Sequence, residues 1–405
     1  MMGEGNGKTL KNTKAGNSKV LKNTEADPAD HTMDDAGSTL PAPSRFGRDS
    51  NFELLRILAI LFIISFHCAW EGGFEYPAFC FNKFLVESFH MLGEIGVNLF
   101  ILISGYHMIR GRFKIKKLIS LLLQVQFYNW ICVFLCVHFG TLTLDRRTVF
   151  INFFPVTEYK YWFATVYILL YLFSPYINKL LLCLSRKEFQ KMLLLCLAVF
   201  CIFPTVYGAL KNDTETLFYY NRFIWLLIVY MIGAYIRLYP PVKYVSSAKW
   251  LGISALIFFF MECAIYVMER FQPFFNKVGI VGGNYFWRPN TIPVAAVSLS
   301  LFLCFRFIKV KPIKAVNLLA STTFGIYLLH DGQLNFYMWQ VLLKSTEYTF
   351  SPRLILFIPM CALLIFITGA CVDFLRQLLF RLISRPVFRF AATLPSFPFH
   401  TSDST

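Results

Sequence analysis

Arg56-Ile57-Leu58-Ala59-Ile60-Leu61-Phe62-Ile63-Ile64-Ser65-Phe66-His67 is an apolar run bracketed by two ionisable side chains. Eleven steps along an α-helix rise ~16 Å and return the side chain to within ~20° of its starting direction. Read as a helix, the run puts Arg56 and His67 on one stripe, Arg56 near one membrane edge and His67 well inside. An ionisable group at that depth costs ~2.5–3.5 kcal/mol on insertion scales, so such groups are rare in membranes without a purpose. The competing reading is a snorkelling arginine with a histidine that caps a packed bundle.

The rest of the chain fits a membrane around that run. Of 405 residues, 56% are hydrophobic, 18% aromatic and only 15% charged. Soluble domains run at ~25% charged, so the class is an all-α, polytopic membrane helix bundle. The net charge of +16 does not point to nucleic acid, because the cations sit at the ends of apolar runs rather than on one polar face. Eleven cysteines, among them Cys132, Cys136, Cys183, Cys196, Cys201 and Cys304, form no Cys-x-x-Cys pair. No histidine stands at zinc-finger spacing, so buried apolar thiols are expected and no metal. Residues 1–50 are polar and lysine-rich with no signal-peptide core, which reads as a disordered cytoplasmic tail. A membrane domain over 51–385 and a cytoplasmic tail over 386–405 complete the division.

Runs long enough to cross a bilayer stand near 52–70, 92–109, 117–139, 161–183, 190–208, 219–238, 249–268, 291–308, 322–343 and 354–382. At ~20 residues per span, about ten transmembrane helices are predicted. The connections alternate in charge. Lys8 to Arg48, Arg110 to Lys117, Lys179 to Lys191, Arg237 with Lys243, Arg306 to Lys314 and Arg376 to Arg389 are basic. The other set is mixed or acidic: Glu71 with Glu75, Asp145 with Arg146 and Arg147, Asp213 with Glu215, Glu269 with Arg270, and Asp331 with Glu347. The positive-inside rule then places both termini in the cytoplasm, which requires an even number of helices. His67 falls toward the outer half of the membrane and Arg56 at the cytoplasmic edge.

Other polar residues interrupt the spans. In Gly93-Glu94-Ile95-Gly96-Val97-Asn98-Leu99-Phe100-Ile101-Leu102-Ile103-Ser104-Gly105-Tyr106, the small residues allow close helix approach, and Asn98 and Ser104 can hydrogen-bond across the bundle. Arg110, Arg112, Lys114, Lys116 and Lys117 put five cations in eight residues, suited to anionic lipid headgroups or to the phosphates of a soluble cofactor. Phe324-Gly325-Ile326-Tyr327-Leu328-Leu329-His330-Asp331 ends in a His-Asp pair on the outer side; His330 either faces the cavity of His67 or caps a helix end. Neighbours on a helix point in different directions, so the pair itself need not meet. Trp162, after Tyr159 and Tyr161, fits an interfacial aromatic belt as well as a site, and Asn212-Asp213-Thr214 matches a glycosylation sequon. There is no Walker A loop, Rossmann glycine pattern, His-Glu-x-x-His or Gly-x-Ser-x-Gly, which argues against ATP hydrolysis, dinucleotide redox chemistry and zinc proteolysis.

Taken in order, Arg56-x10-His67, Gly96-Val97-Asn98-Leu99-Phe100 with Ser104-Gly105-Tyr106, Tyr161-Trp162-Phe163 and Phe324 to His330 resemble the acyltransferase 3 family of membrane acyltransferases. The resemblance runs from about residue 51 to 385. It implies a roughly ten-helix, multi-pass enzyme of the cell membrane that moves an acyl group, usually acetyl, from acetyl-CoA or another short acyl-CoA. The acceptors it implies are sugar hydroxyls of surface polysaccharides or their lipid-linked precursors, so the expected partners are acyl-CoA, a carbohydrate or glycolipid, and membrane lipids. Family members commonly carry an acidic residue where this chain has Asn98. On this reading His67 is the general base, since a neutral imidazole with an ordinary pKa of ~6.5 can take a proton from a hydroxyl. An acyl-His67 intermediate relayed across the membrane is the other possibility. Arg56 orients the donor, Arg110, Arg112 and Lys114 hold the coenzyme A phosphates, and Asn98, Ser104, Tyr106, Trp162 and His330 contact substrate. A transporter or flippase for a lipid-linked sugar is the alternative from another class, although no internal repeat is evident. A catalytically silent scaffold is the third.

Overall fold

The structure, a computed structural model, describes residues 49–210, 221–240, 245–277 and 283–393. The predicted N-terminal tail up to residue 48, the sequon at 212–214 and residues 394–405 lie outside the described residues. Every regular element among the described residues is helical. In chain order they are α1 (Ser50–Glu71), α2 (Phe81–Met108), α3 (Ile115–His138), α4 (Arg146–Asn152), α5 (Trp162–Cys183) and α6 (Arg186–Leu197). A π-helical stretch, Ala198–Ile202, carries α6 into α7 (Phe203–Leu210). There follow α8 (Arg222–Leu238), α9 (Ser247–Arg270), α10 (Gln272–Lys277), α11 (Ile292–Phe307), α12 (Lys314–Ala320), α13 (Thr323–His330) and α14 (Leu354–Thr393). Helix α14 runs unbroken past residue 386, where the tail was expected to begin.

Among the described residues, seven helical segments are long and apolar enough to cross a membrane: α1, α2, α3, α5, Arg186–Tyr207, α9 and the Leu354–Leu382 part of α14. The other three predicted spans take different forms. Helix α8 has 17 residues and α11 has 16, so they rise ~25 Å against a hydrocarbon core of ~30 Å. The span predicted at 322–343 is not one helix: α13 stops at His330, and a π-helical turn, Tyr337–Leu342, follows the break. The lipid-facing surface is nonetheless continuous in character. Leu194, Leu195, Phe259, Phe260, Leu356 and Met360 are each more than half exposed, a display that soluble monomers avoid.

Helix α2 begins eleven residues before the predicted 92 because its first turns are polar. Their polar groups are turned toward α9: Lys83 Nζ lies 2.6 Å from Glu269, and the Ser88 hydroxyl donates to Glu262 at 2.5 Å. Pairing of that kind allows charged residues inside a bundle that hydropathy alone rejects. A similar substitution of partners keeps α5 intact. Pro175 removes a backbone donor to the Tyr171 carbonyl, and the Ser174 hydroxyl donates to that carbonyl instead at 2.7 Å.

Helices α1 and α2 share the most extensive packing, with α8 on the other flank of α2, α11 against α9, and α14 against α1. The α2–α8 crossing depends on two glycines. A Cβ at Gly105 would overlap the Tyr230 carbonyl, and a Cβ at Gly233 would overlap the Leu102 carbonyl. Backbones can therefore touch backbones, as small residues permit in membranes. One turn beyond Gly233, Arg237 then meets Tyr106, the neighbour of Gly105, with Nη1 donating to the Tyr106 hydroxyl at 3.1 Å.

A buried clasp ties α3, α13 and α14 together. Asp373 is fully buried and accepts from Arg376 Nε at 2.7 Å, Tyr128 Oη at 2.7 Å, Gln124 Nε2 at 3.3 Å and Gln377 Nε2 at 2.8 Å. Gly325 of α13 packs so closely on the Asp373 carboxylate that a side chain there would displace it. The clasp sets the register of α13 five residues before His330.

Candidate active site

Helix α1 carries His67 to a place where α13 ends. His67 Nδ1 is 2.9 Å from His330 Nε2, and both residues are almost wholly buried, at 7% and 1% exposure. His330 Nδ1 is 2.6 Å from the Ile326 carbonyl, one turn back in its own helix. A carbonyl oxygen only accepts, so His330 Nδ1 carries the proton. A neutral His330 then presents the lone pair of Nε2, and His67 must donate to it from Nδ1. With His67 neutral, that chain leaves its lone pair on Nε2, the nitrogen 3.3 Å from Asp331 Oδ1, and an ionised Asp331 favours the protonated ring there. One main-chain oxygen therefore selects the tautomers of two histidines, the second-partner logic by which a histidine's reactive nitrogen is set.

His330 and Asp331 are adjacent in sequence and reach opposite nitrogens of one imidazole. The two side chains diverge, as helix neighbours do, and the helix end lets both reach the same ring. Asp331 is the C-cap of α13 and its backbone has already left the helical region, so its side chain swings back over the ring. Irregular backbone at this depth is tolerated because protein surrounds it: Gly332 is pressed against Cys132 and the Tyr161 hydroxyl.

The Tyr327 hydroxyl lies beside Asp331, and Arg222 is within electrostatic reach of both Asp331 and Glu94. The Arg222 guanidinium stacks 4.7 Å from the Trp162 ring centroid and 5.8 Å from that of Tyr159. Tyr159 has φ of 56°, a left-handed conformation uncommon for a large side chain and one that turns the ring toward Arg222. Trp162 thus carries the guanidinium that is within electrostatic reach of Asp331, a role beyond that of an interfacial belt. Asp331, Tyr327 and Arg222 were not among the predicted site residues. The His-Asp dipeptide was the available signal for the first; nothing in the local sequence marks Arg222.

Arg56 lies eleven residues back along α1, ~16 Å from His67 at ideal rise, and is held by Glu53, Nη1 to Oε1 2.6 Å. The two ends of the stripe are separate sites. Asn98 belongs to neither. Its Nδ2 donates to the Pro289 carbonyl at 2.9 Å and to Ser298 Oγ at 3.3 Å, and its Oδ1 accepts from Trp225 Nε1 at 2.9 Å. Both amide protons are used, so Asn98 joins α2, α8 and α11 where a substrate contact was expected. Ser104 donates back to the Phe100 carbonyl at 2.8 Å, and Tyr106 lies at the opposite end from His67, beside Arg237. Arg110, Arg112 and Lys114 are exposed on the turn between α2 and α3. An apolar groove lined by Leu123, Phe127, Phe134 and Phe380 contains none of these residues. No cluster able to hold a metal ion exists among the described residues.

The geometry can hold a base in one tautomer, with a carboxylate ready to accompany the positive charge that forms when the base takes a proton. Two comparisons with known proteins, one against curated proteins and one against solved structures, give no match. The family model described as an acyltransferase domain, by contrast, matches residues 49–375, from the start of α1 to the clasp in α14. With a match over most of its length that takes in both histidines and Arg56, the chain belongs to the acyltransferase 3 family and is a membrane acyltransferase.

Proposed function

We propose that this acyltransferase moves a short acyl group, acetyl in the first instance, from acyl-CoA to a sugar hydroxyl of a surface polysaccharide or its lipid-linked precursor. The observation that carries the reading is the tautomer chain from the Ile326 carbonyl through His330 to His67, which leaves Nε2 of His67 as a buried, oriented lone pair. In the reaction, the acceptor hydroxyl oxygen attacks the thioester carbonyl while its proton passes to His67 Nε2. The tetrahedral intermediate collapses, its C–S bond breaks, and the departing coenzyme A sulfur takes the proton from His67. Asp331, 3.3 Å from Nε2, offsets the transient imidazolium charge, and the bond to His330 strengthens as that charge forms.

In this reading α8, α11 and the α12–α13 segment complete ten passes, with both termini cytoplasmic and His67 toward the outer half of the cell membrane. The alternation of basic connections with mixed or acidic ones supports that orientation. Trp162, stacked on Arg222, offers an aromatic face to a sugar ring, and Arg222 an anchor for a negatively charged group on the acceptor. Membranes holding the protein, supplied with acetyl-CoA labelled in the acetyl group, should transfer label to alkali-labile esters on glycan or glycolipid. Donor binding without transfer to any hydroxyl acceptor, or label retained only as free acetate, would oppose the reading.

A further inference from the structure

The end of the bundle opposite His67 gathers three arginines, of which only Arg56 has a carboxylate partner among the described residues. Arg237 and Arg306 both approach one buried ring, Tyr106, with guanidinium carbons 4.9 and 5.9 Å from its centroid, and Arg306 also lies 4.9 Å from the Phe307 ring. Arg56 and Arg237 are both within electrostatic reach of His107, the next residue. Four helices bring these groups together: Phe52 of α1 touches Tyr106 and His107 of α2 and Phe302 of α11, and the Gly105–Gly233 contact fixes α8. Among the described residues the only ion pair made by any of the three arginines is Arg56 with Glu53. Nη1 of Arg306 is buried and makes no hydrogen bond.

Buried charge is ordinarily paired, and a guanidinium donor shut away from water without an acceptor is costly. Helix C-termini favour cations, and both Arg237 and Arg306 sit in last turns, but that interaction does not draw two guanidinium groups onto the same ring. A guanidinium presents a planar fork that matches phosphate oxygens two at a time.

We infer that Arg306 and Arg237, flanking Tyr106 at the basic end of the bundle, form a binding site for a phosphoester anion. The inference rests on the acyl-CoA reading for the identity of the ligand, the phosphates of the donor nucleotide. It places that anchor inside the bundle rather than on the exposed turn of Arg110, Arg112 and Lys114. A phospholipid headgroup carries the same chemistry and is the other source. Helix α1 then runs from the phosphoester site to His67, so the acyl end of a donor held at one end of the stripe points along it toward the base.

The test uses full-length protein in nanodiscs of zwitterionic lipid, titrated with coenzyme A, 3′-dephospho-coenzyme A and inorganic phosphate. Arg306→Gln and Arg237→Gln should each weaken coenzyme A about tenfold or more, the scale of one lost charge-assisted hydrogen bond. Arg112→Gln should change it less, and Arg306→Lys should fall between wild type and Arg306→Gln. Thermal unfolding of each variant shows whether the protein is folded. In nanodiscs containing phosphatidylglycerol, retention of the anionic lipid by wild type and its loss in Arg306→Gln would identify a headgroup as occupant of the same site. Wild type that retains lipid through Arg306 but binds no coenzyme A would sustain the site and remove the donor reading. Folded Arg306→Gln and Arg237→Gln that bind coenzyme A, phosphate and phosphatidylglycerol like wild type would overturn the inference.

Discussion

Replacing His330 with alanine tests the tautomer chain on which the catalytic reading depends. The substitution leaves His67 in place and removes the acceptor 2.9 Å from its Nδ1. A neutral hydrogen bond is worth ~1 kcal/mol net, and one to a charged group ~1.5–3 kcal/mol. The bond becomes charged only when His67 takes the proton, so its loss raises the barrier by the difference, ~0.5–2 kcal/mol, or roughly 2–30-fold in rate. A second effect adds to this. Without His330 the proton of His67 is free to move to Nε2, which removes the base; a catalytic histidine held in the wrong tautomer loses ~10⁴ in a serine protease. Single-turnover transfer from labelled acetyl-CoA, at saturating donor, should therefore slow by tenfold to ~10⁴, while donor affinity stays near wild type. His330→Gln, whose side-chain oxygen can accept from Nδ1, should recover part of the rate. A folded His330→Ala protein with wild-type kcat and only a raised KM would refute the reasoning, because it would make His330 a binding contact.

The other consequences concern folding. Asp373→Ala leaves Arg376 buried without its partner and should cost ~3–5 kcal/mol, read as a large drop in the unfolding temperature of detergent-solubilised protein. Gly105→Val drives a side chain into the Tyr230 carbonyl; a loss of ~1–3 kcal/mol or more is expected, with the Arg237–Tyr106 contact weakened, and an unchanged unfolding temperature would contradict the close crossing. Asp145 caps α4, and hydrogen bonds from the Thr148 hydroxyl and amide hold its carboxyl below the usual range. Its contribution is present above the unfolded value of ~3.9 and is lost as pH falls through the lower folded value. Amide exchange in α4 should accelerate over that acidic window in wild type and not in Asp145→Asn, which caps without a charge.

The sequence made one line of this account readable and concealed what lies across it. Arg56 and His67 declare themselves because an α-helix converts their spacing into a shared stripe, and His330 was recognisable as a candidate from its position in an apolar run. That Asp331 joins them was not visible, since helical geometry separates neighbours and only the break after His330 brings both to one ring. The start of α2 was hidden for a related reason. Lys83, Ser88 and Glu94 lower the hydropathy, and their partners, Glu269, Glu262 and Arg222, are remote in sequence. The partners of Asn98 were hidden in the same way, because they come from α8, α11 and the segment before α11. Arg237 and Arg306 were read as topology signals, and only the convergence of α8 and α11 on Tyr106 shows that they share a ring.

The central claim is that His67 removes the proton of the acceptor hydroxyl. The most direct measurement is acetyl transfer by purified His67→Ala protein in nanodiscs, with coenzyme A binding measured on the same sample. The account predicts that binding persists while transfer to the hydroxyl falls to background. Transfer near the wild-type rate by folded His67→Ala protein would contradict it.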